Sequence, residues 1–347
     1  MPFPYDLSAL HRALAATPDS PAPAFDSLEP LPPDGLDNDH VRLHGTGLVA
    51  RVPRWPLDGL APADALALRA ARFRRSAASG HTPALHAVLQ PADGLANGAL
   101  LVDDIAGRPA RVPGDMDAVA GALAALHAVG VPPAPTRLPL PDTPDPAAAL
   151  VDLIERQGAA LAAAGAGDAV QRLVAAEIDA ARHHAARWRA RQQPVCLVGA
   201  DTHPGNFLVT PQGRAILVDL DKAMYGAPAV DLAHASLATS IFWATGDWQA
   251  LPAAARRQFV ERYFATLPPD LAAAIGPWLA PMARLTWLRT TTWAATWRTA
   301  RLPVLERVPG LKELVARADT RTAALLAADN VEREAAALPA WDAEEPA

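Results

Sequence analysis

The chain is short of cysteine and lysine. Among its 347 residues there is one cysteine, Cys196, and there are two lysines, Lys222 and Lys312. A single cysteine excludes an intrachain disulfide framework and a cysteine-based zinc site. Cys196 stands in the apolar run "VCLV" and reads as small core filler. No apolar run reaches the roughly 18 residues a membrane span requires, so no membrane partner is expected. The opening "MPFPYDLSAL" lacks a positive segment followed by a long apolar one, so no signal peptide is expected and the expected location is cytoplasmic. There is no basic block, and the formal net charge is -6, which argues against nucleic acid as a partner. What the chain has instead is apolar surface to bury, 51% hydrophobic residues, and 35 prolines, against a usual share of roughly 5%. Its length suits two domains or one bilobal unit.

The first hundred residues read as a small sheet with few helices. "LSALHRALAA" has helical spacing, and "VRLHGTGLVARV" (41–52) reads as two strands around a glycine turn. Then comes a helix, "APADALALRAARFRRSAAS", with Asp64 near its start and Gly80 just past its end. Two more strands follow, "PALHAVLQ" and "GALLVDDIAG". Beyond Gly107 the texture is helical. Asp115 is the predicted N-cap of "MDAVAGALAALHAV", and further helices are predicted over 147–165, 168–192 and from about 231 to 326. The predicted architecture is α+β and bilobal: a small antiparallel β lobe with one main helix (1–102), a connector (103–112), a mainly helical lobe (113–335) and a loose tail (336–347).

One polar loop interrupts the helical part. "VCLV", "NFLV" and "AILV" (195–198, 206–209, 215–218) read as short strands, and "TPQG" supplies a hairpin turn between the last two. Asp201 and Asn206 lie on the loop before the hairpin, and Asp219 follows its second strand. A hairpin brings the start of one strand beside the end of the next, so Asn206 is expected near Asp219. A carboxylate and an amide oxygen are hard donors of the kind Mg²⁺ takes when phosphate oxygens and water complete its shell. Asp201 is then left to face a substrate hydroxyl.

The segment "GADTHPGNFLV…AILVDLDKAMYGAPAVDLAHA" resembles the aminoglycoside phosphotransferase family of the protein-kinase-like superfamily. The family pattern is His-Gly-Asp-Leu-His-Pro-Gly-Asn, then a strand ending in Asp, then Asp-Leu-Ala. Asp201, His203, Pro204, Gly205, Asn206, Asp219, Asp231, Leu232 and Ala233 match it. The resemblance implies a kinase that transfers the γ-phosphate of ATP to a small-molecule hydroxyl, with Asp201 as base or orienting group and Asn206 and Asp219 as Mg²⁺ ligands. It implies that Gly35 and Asn38 belong to the nucleotide loop and that Arg51 replaces the usual phosphate-binding lysine, a substitution that keeps charge but not shape. It makes the stretch from Asp103 to Ile105 the connector whose backbone holds adenine, and Asp231 the anchor of the catalytic loop. The family's helix glutamate falls near Ala70, so the usual ion pair is absent, and the motif's leading His-Gly is here Gly199-Ala200. Lys222, three residues after Asp219, is read as a phosphate contact from the metal side or as a plain exposed lysine. His203 is read as a brace for the loop or a contact to phosphate.

The acceptor should lie against the helical lobe. Between Tyr225 and Arg301 the acids are Asp231, Asp247, Glu261 and Asp270, against seven arginines, so the region is mildly basic. A polycationic aminoglycoside needs an acidic pocket. A neutral or anionic metabolite, a sugar or a choline-like compound therefore fits better. Trp287, Trp293 and Trp297 read as helix packing or as a cage for a quaternary amine. Two alternatives stay open at this level: a catalytically weak nucleotide-binding pseudokinase, and an aminoglycoside resistance kinase.

Overall fold

The computed structural model of the chain describes residues 5–18, 20, 25–33, 35–57, 59–308 and 310–341. Strands β1 (Leu28–Pro30), β2 (Asn38–Leu43), β3 (Leu48–Pro53), β4 (Leu85–Leu89) and β5 (Ala99–Asp103) form one antiparallel sheet in the order β1-β2-β3-β5-β4. Side chains alternate along a strand, and β3 shows the result. Leu48, Ala50 and Val52 pack with Leu10 and Leu14 of helix α1 (Leu7–Ala16), while Val49 joins the larger core with Leu66, Ala70 and Phe73 of α2 (Pro62–Ser76). Arg51 shares the Val49 face and stands opposite His40 on β2 and Leu100 on β5. The alternation therefore aims Arg51 away from α1 and toward the helical half.

Local chemistry explains the helix ends. Asp6 caps α1 by accepting from Ser8 N at 2.8 Å. Pro62 opens α2, where its missing N–H leaves nothing unsatisfied. Past α2 the chain turns at Gly80, with φ 65.

The rest is helical apart from five short strands. Helices α3 (Met116–His127), α4 (Pro146–Gly158) and α5 (Asp168–Trp188) precede the small β segment. After it come α6 (Pro228–Ser236), α7 (Ala238–Thr245), α8 (Ala253–Thr266), α9 (Pro269–Ile275), α10 (Leu279–Thr296), α11 (Leu302–Leu305), α12 (Lys312–Leu325) and α13 (Ala328–Ala337). Helix α10 packs against α4 and α6, and Trp188, Trp287, Tyr225, Tyr263 and Phe259 fill the interior. The strands are β6 (Arg108–Pro109), β7 (Cys196–Val198), β8 (Phe207–Val209), β9 (Ala215–Leu217) and β10 (Met224–Gly226). β8 and β9 form the predicted hairpin, β6 adds to the free edge of β8, and β7 pairs with β10. This is the α+β, two-part architecture read from the sequence. Among the described residues no helix is long and apolar enough to cross a membrane.

The structure departs from expectation in detail. Strands β1, β6 and β10 are two or three residues long, too short to show a period. Asp115 precedes α3 as predicted but does not cap it. Its carboxylate accepts from Arg108 Nη2 at 3.0 Å and from Arg111 N at 2.7 Å, tying the connector down instead. In the segment expected to be loose, Trp341 stacks on His184 with ring centroids 5.4 Å apart; residues 342–347 lie outside the described residues.

Two glycines give a test of the packing. At Gly98, with φ 65, an added Cβ would lie 2.4 Å from Leu89 O and 2.6 Å from Leu66 Cδ2. At Gly45, with φ 78, it would meet nothing within 4 Å. Gly45→Ala should cost about 1 kcal/mol, the left-handed strain alone. Gly98→Ala should cost about 3 kcal/mol or more, because strain and overpacking add. Urea unfolding midpoints of the two variants check the difference.

Candidate active site

The loop 199–206 joins β7 to β8, and helix α6 fixes its shape. Asp231 is fully buried, and both its oxygens are used: Oδ2 accepts from Gly199 N at 2.7 Å and Oδ1 from Ala200 N at 2.9 Å. His127 of α3 meets Oδ2 through Nε2 at 3.1 Å and Tyr263 Oη through Nδ1 at 2.8 Å. Burial pushes the Tyr263 hydroxyl up, so it stays a donor. The imidazole then accepts at Nδ1 and donates at Nε2 to the carboxylate. One turn along α6, His234 Nδ1 accepts from Thr202 N at 3.0 Å, and Thr202 Oγ1 donates to Asp231 O at 2.8 Å. At Gly199 a Cβ would lie 2.8 Å from both Leu217 Cδ2 and Thr202 Cγ2, so a larger residue would have to displace one of these side chains. Ala200 adopts φ 61, a conformation that costs a non-glycine about 1 kcal/mol. The loop is thus rigid without the family's leading histidine.

The hairpin brings the predicted metal ligands together. Val218 N donates to Asn206 O at 2.9 Å, so Asn206 stands beside Val218 and Asp219 is the next residue. Asn206 Nδ2 donates to Asp201 O at 2.7 Å, which turns its Oδ1 the other way. Asp219 engages only Oδ1, which accepts from Arg51 Nη2 at 2.7 Å and from Asp221 N at 3.2 Å. Asn206 Oδ1 and Asp219 Oδ2 are the hard donors that Mg²⁺ requires. Among the described residues no cluster of three or more His, Cys, Asp or Glu could hold a metal alone. A cation at this pair needs ligands from a phosphate and from water.

Asp221 is the hub beside it. Its Oδ2 lies 3.2 Å from Arg51 Nη2 and 3.4 Å from Arg69 Nε, and accepts from Asn38 Nδ2 at 3.1 Å. Arg72 donates from Nη1 to Asp221 O and from Nε to Ala223 O, the latter at 3.0 Å. Burial alone would raise the Asp221 carboxyl, but Arg51, Arg69 and Asn38 outweigh it and hold it well below the usual range. Arg51 therefore finds its carboxylates on the helical half, not on α2. The position of the expected glutamate, Ala70, is buried, and its neighbour Arg69 brings a positive charge instead. The signal was present as two arginines, three apart, on a helix whose other inward residues are apolar except Ser76.

All nine residues singled out from the sequence line one cleft of about 1230 Å³ between the sheet and the helices: Gly35, Asn38, Arg51, Asp103, Ile105, Asp201, Asn206, Asp219 and Lys222. Their side chains do not all reach into it. Asn38 is turned to Asp221. Asp103 accepts from Ala84 N at 2.8 Å and meets His86 Nε2 at 2.7 Å. Gly35 offers its carbonyl to Arg54 Nη1 at 2.6 Å. Lys222 meets Asp201 Oδ2 at 2.6 Å rather than standing on the metal side. Burial would raise the Asp201 carboxyl; the Lys222 charge outweighs it and holds the group well below the usual range. His203 does not brace the loop through Nδ1, which is buried without a hydrogen-bond partner. At its far side the cleft is bridged. Arg301 Nη2 meets Asp37 Oδ1 at 2.8 Å and its guanidinium lies 4.4 Å from the Trp55 ring centre.

Residues 27–274 match the sequence profile of the phosphotransferase enzyme family, APH. No curated protein matches the chain. Similar solved structures include a choline kinase from Cryptosporidium parvum Iowa II, with TM-score 0.61 at 11% identity, covering 95% of each chain. A choline/ethanolamine kinase family protein from Mesorhizobium loti aligns with TM-score 0.58 at 20% identity, over 90% of this chain and 99% of that one. A macrolide 2'-phosphotransferase from Brachybacterium faecium aligns with TM-score 0.54 at 18% identity, over 92% and 97%. At these identities the likeness establishes the fold, which is protein-kinase-like.

Two measurements probe this geometry. Asp231→Ala leaves two buried amides without an acceptor and should cost about 3 kcal/mol or more, read from denaturant unfolding. His40 lines the cleft, and burial together with Arg51 and Arg54 lowers its pKa to about 3. Folded, it stays neutral where the unfolded chain takes up a proton, so the folded state loses stability as pH falls from about 6.5 toward about 3. His40→Gln should flatten that part of the melting-temperature profile.

Proposed function

The chain belongs to the phosphotransferase enzyme family and is a small-molecule kinase; from that premise we propose that it transfers the γ-phosphoryl group of ATP to a hydroxyl of a small metabolite. Residues 1–102 would form the nucleotide lobe, 103–112 the connector that takes adenine, and 113–335 the acceptor lobe. What supports the reading is the meeting of Asp201, Asn206 and Asp219 on one wall of one cleft.

Asn206 Oδ1 and Asp219 Oδ2 would hold Mg²⁺, which when bound neutralises charge on the phosphate oxygens. Arg51 lies beside Asp219 and supplies a fixed positive charge at the phosphate end. Asp201 receives the acceptor hydroxyl. A carboxylate held well below its usual range is a weak base, so its main contribution is to orient the oxygen and take the proton late. The acceptor oxygen forms the new bond to the γ-phosphorus, the bond to the β,γ-bridging oxygen breaks, and ADP leaves. Such a transfer needs little covalent help and depends on positioning and charge. Lys222 shares Asp201 with the incoming hydroxyl and carries its positive charge beside the transferring group.

Asp201→Asn should reduce kcat by about 10²-fold or more, the usual range for a positioned acid–base group, while leaving Mg-ATP affinity within a few-fold. Asp219→Asn should instead weaken Mg-dependent nucleotide binding. Steady-state ADP release together with calorimetric titration of Mg-ATP separates the two effects. An Asp201→Asn enzyme as active as the parent overturns the assignment.

A further inference from the structure

The end of the cleft beyond Asp201 is strongly cationic. Lys222, Arg289, Arg317 and Arg321 line it, and the carboxylates whose charge reaches Lys222 are those of Asp201 and Asp219. Asp201 is taken by Lys222 at 2.6 Å and Asp219 by Arg51 at 2.7 Å. The next acids are also engaged: Asp37 holds Arg301 at 2.8 Å and Asp319 holds Arg298 at 2.6 Å. Arg289, Arg317 and Arg321 have no carboxylate partner among the described residues. Arg289 makes one long hydrogen bond, from Nη1 to Ala200 O at 3.4 Å, and Arg321 donates to Trp243 O. Arg317 and Arg321 are four residues apart on α12, a spacing at which like charges repel and weaken a helix. The bond to Trp243 O ties α12 to α7 through Arg321, but among the described residues no such tie holds Arg317 or offsets the charge of the three.

Their positions relative to Asp201 can be traced. The Arg289 charge acts on Asp201, Lys222 and His234, and the Arg321 charge acts on His203, two residues from Asp201. Trp243 and Trp293 line the same cleft, edge to face with centroids 5.1 Å apart; Trp243 gives its carbonyl to Arg321, and Trp293 stands one turn past Arg289 on α10. Ser240 lines it too, with a buried hydroxyl that has no hydrogen-bond partner among the described residues. The lining of this chamber thus offers two guanidinium groups, a pair of indoles and a spare hydroxyl. The guanidinium groups repel a cationic acceptor, and Asp201 is already paired with Lys222, which weakens the case that the tryptophans alone made for a choline-like ligand.

We propose that the acceptor is a hydroxyl compound bearing a carboxylate or phosphate group, which Arg289 and Arg321 bind while its apolar body packs on Trp243 and Trp293. The anion ties the molecule down at the far end, and its hydroxyl reaches Asp201. Guanidinium groups suit both anions, since they pair with two oxygens in one plane. The inference rests on the kinase reading, and the transfer itself is the one written there.

The test is a panel of matched acceptors assayed on the full chain with Mg-ATP. 4-(Hydroxymethyl)benzoate, glycerate and glucuronate are each compared with their amides and with the corresponding amines, and glycerol 1-phosphate serves as the phosphate arm. ADP release gives kcat/KM. Binding of the same compounds by calorimetry, in the presence of a non-hydrolysable ATP analogue, is read independently of turnover. Acids or the phosphate ester should exceed their neutral and cationic counterparts by tenfold or more. Arg289→Gln and Arg321→Gln should each shrink the acid-to-amide ratio, a quantity that partial misfolding does not change. The relative rank of glycerol 1-phosphate and the carboxylates then identifies which anion the chamber prefers. Preferential binding of acids without any transfer supports the chamber and sinks the kinase reading alone. Equal treatment of acid and amide means that the arginines serve only the transferring phosphoryl group, and overturns the proposal, as do preference for the amines and failure of every anionic member to bind.

Discussion

A single carboxylate, that of Asp231, determines the shape of the active site. It is wholly buried, and it remains there because two consecutive amides and an imidazole converge on it. Those amides belong to Gly199 and Ala200, immediately before Asp201. The carboxylate thus sets the backbone from which Asp201 projects, and holds Ala200 in a left-handed conformation it would not otherwise choose. The arrangement sits beside a departure from the family pattern. Where that pattern has histidine, this chain has a glycine packed closely against Leu217 and Thr202. Its loop takes its support from α3 and α6 instead, through His127, Asp231 and His234.

A second departure is a reversal of charge. The family pairs a lysine on the sheet with a glutamate on the helix beside it. Here both the sheet and the helix are basic, through Arg51, Arg69 and Arg72, and the carboxylates lie across the cleft on the segment after β9. A pair internal to one half has become a contact between halves. Planar guanidinium groups suit this, since one head can meet two carboxylates, as Arg51 does.

Much of this was legible in the chain itself. The catalytic loop could be read because its residue types are rare in combination and the hairpin rule converts spacing into proximity. Arg51 is picked out only by the resemblance, at the position of the family's lysine; β3 is apolar on both faces, so the direction of its side chain was not legible. Other features could not be read. Asn38 reads as part of the nucleotide loop and Asp103 as a connector residue whose backbone matters; that their side chains are used internally, on Asp221 and on Ala84 N, only three-dimensional neighbours reveal. Lys222 reads either as a phosphate contact from the metal side or as a plain exposed lysine; its partner, Asp201 at 2.6 Å, was not legible. Of the chamber's arginines only Arg289 falls in the mildly basic stretch from Tyr225 to Arg301; Arg317 and Arg321 lie beyond it on α12, so their meeting in one cleft was not legible. The two-residue β6 carries no period at all, and exists because the connector lies along the edge of β8.

The two halves of the molecule are fastened unequally. On the inner side the clasp is buried, with Arg51 and Asp221 only 7% and 13% exposed, and parting them would strand bare charge in a dry interior. On the outer side Arg301 and Asp37 are 33% and 55% exposed, so water and salt can stand in for either partner. The cleft is therefore built like a locket with a fixed pin and a loose catch, and added salt would weaken the catch first.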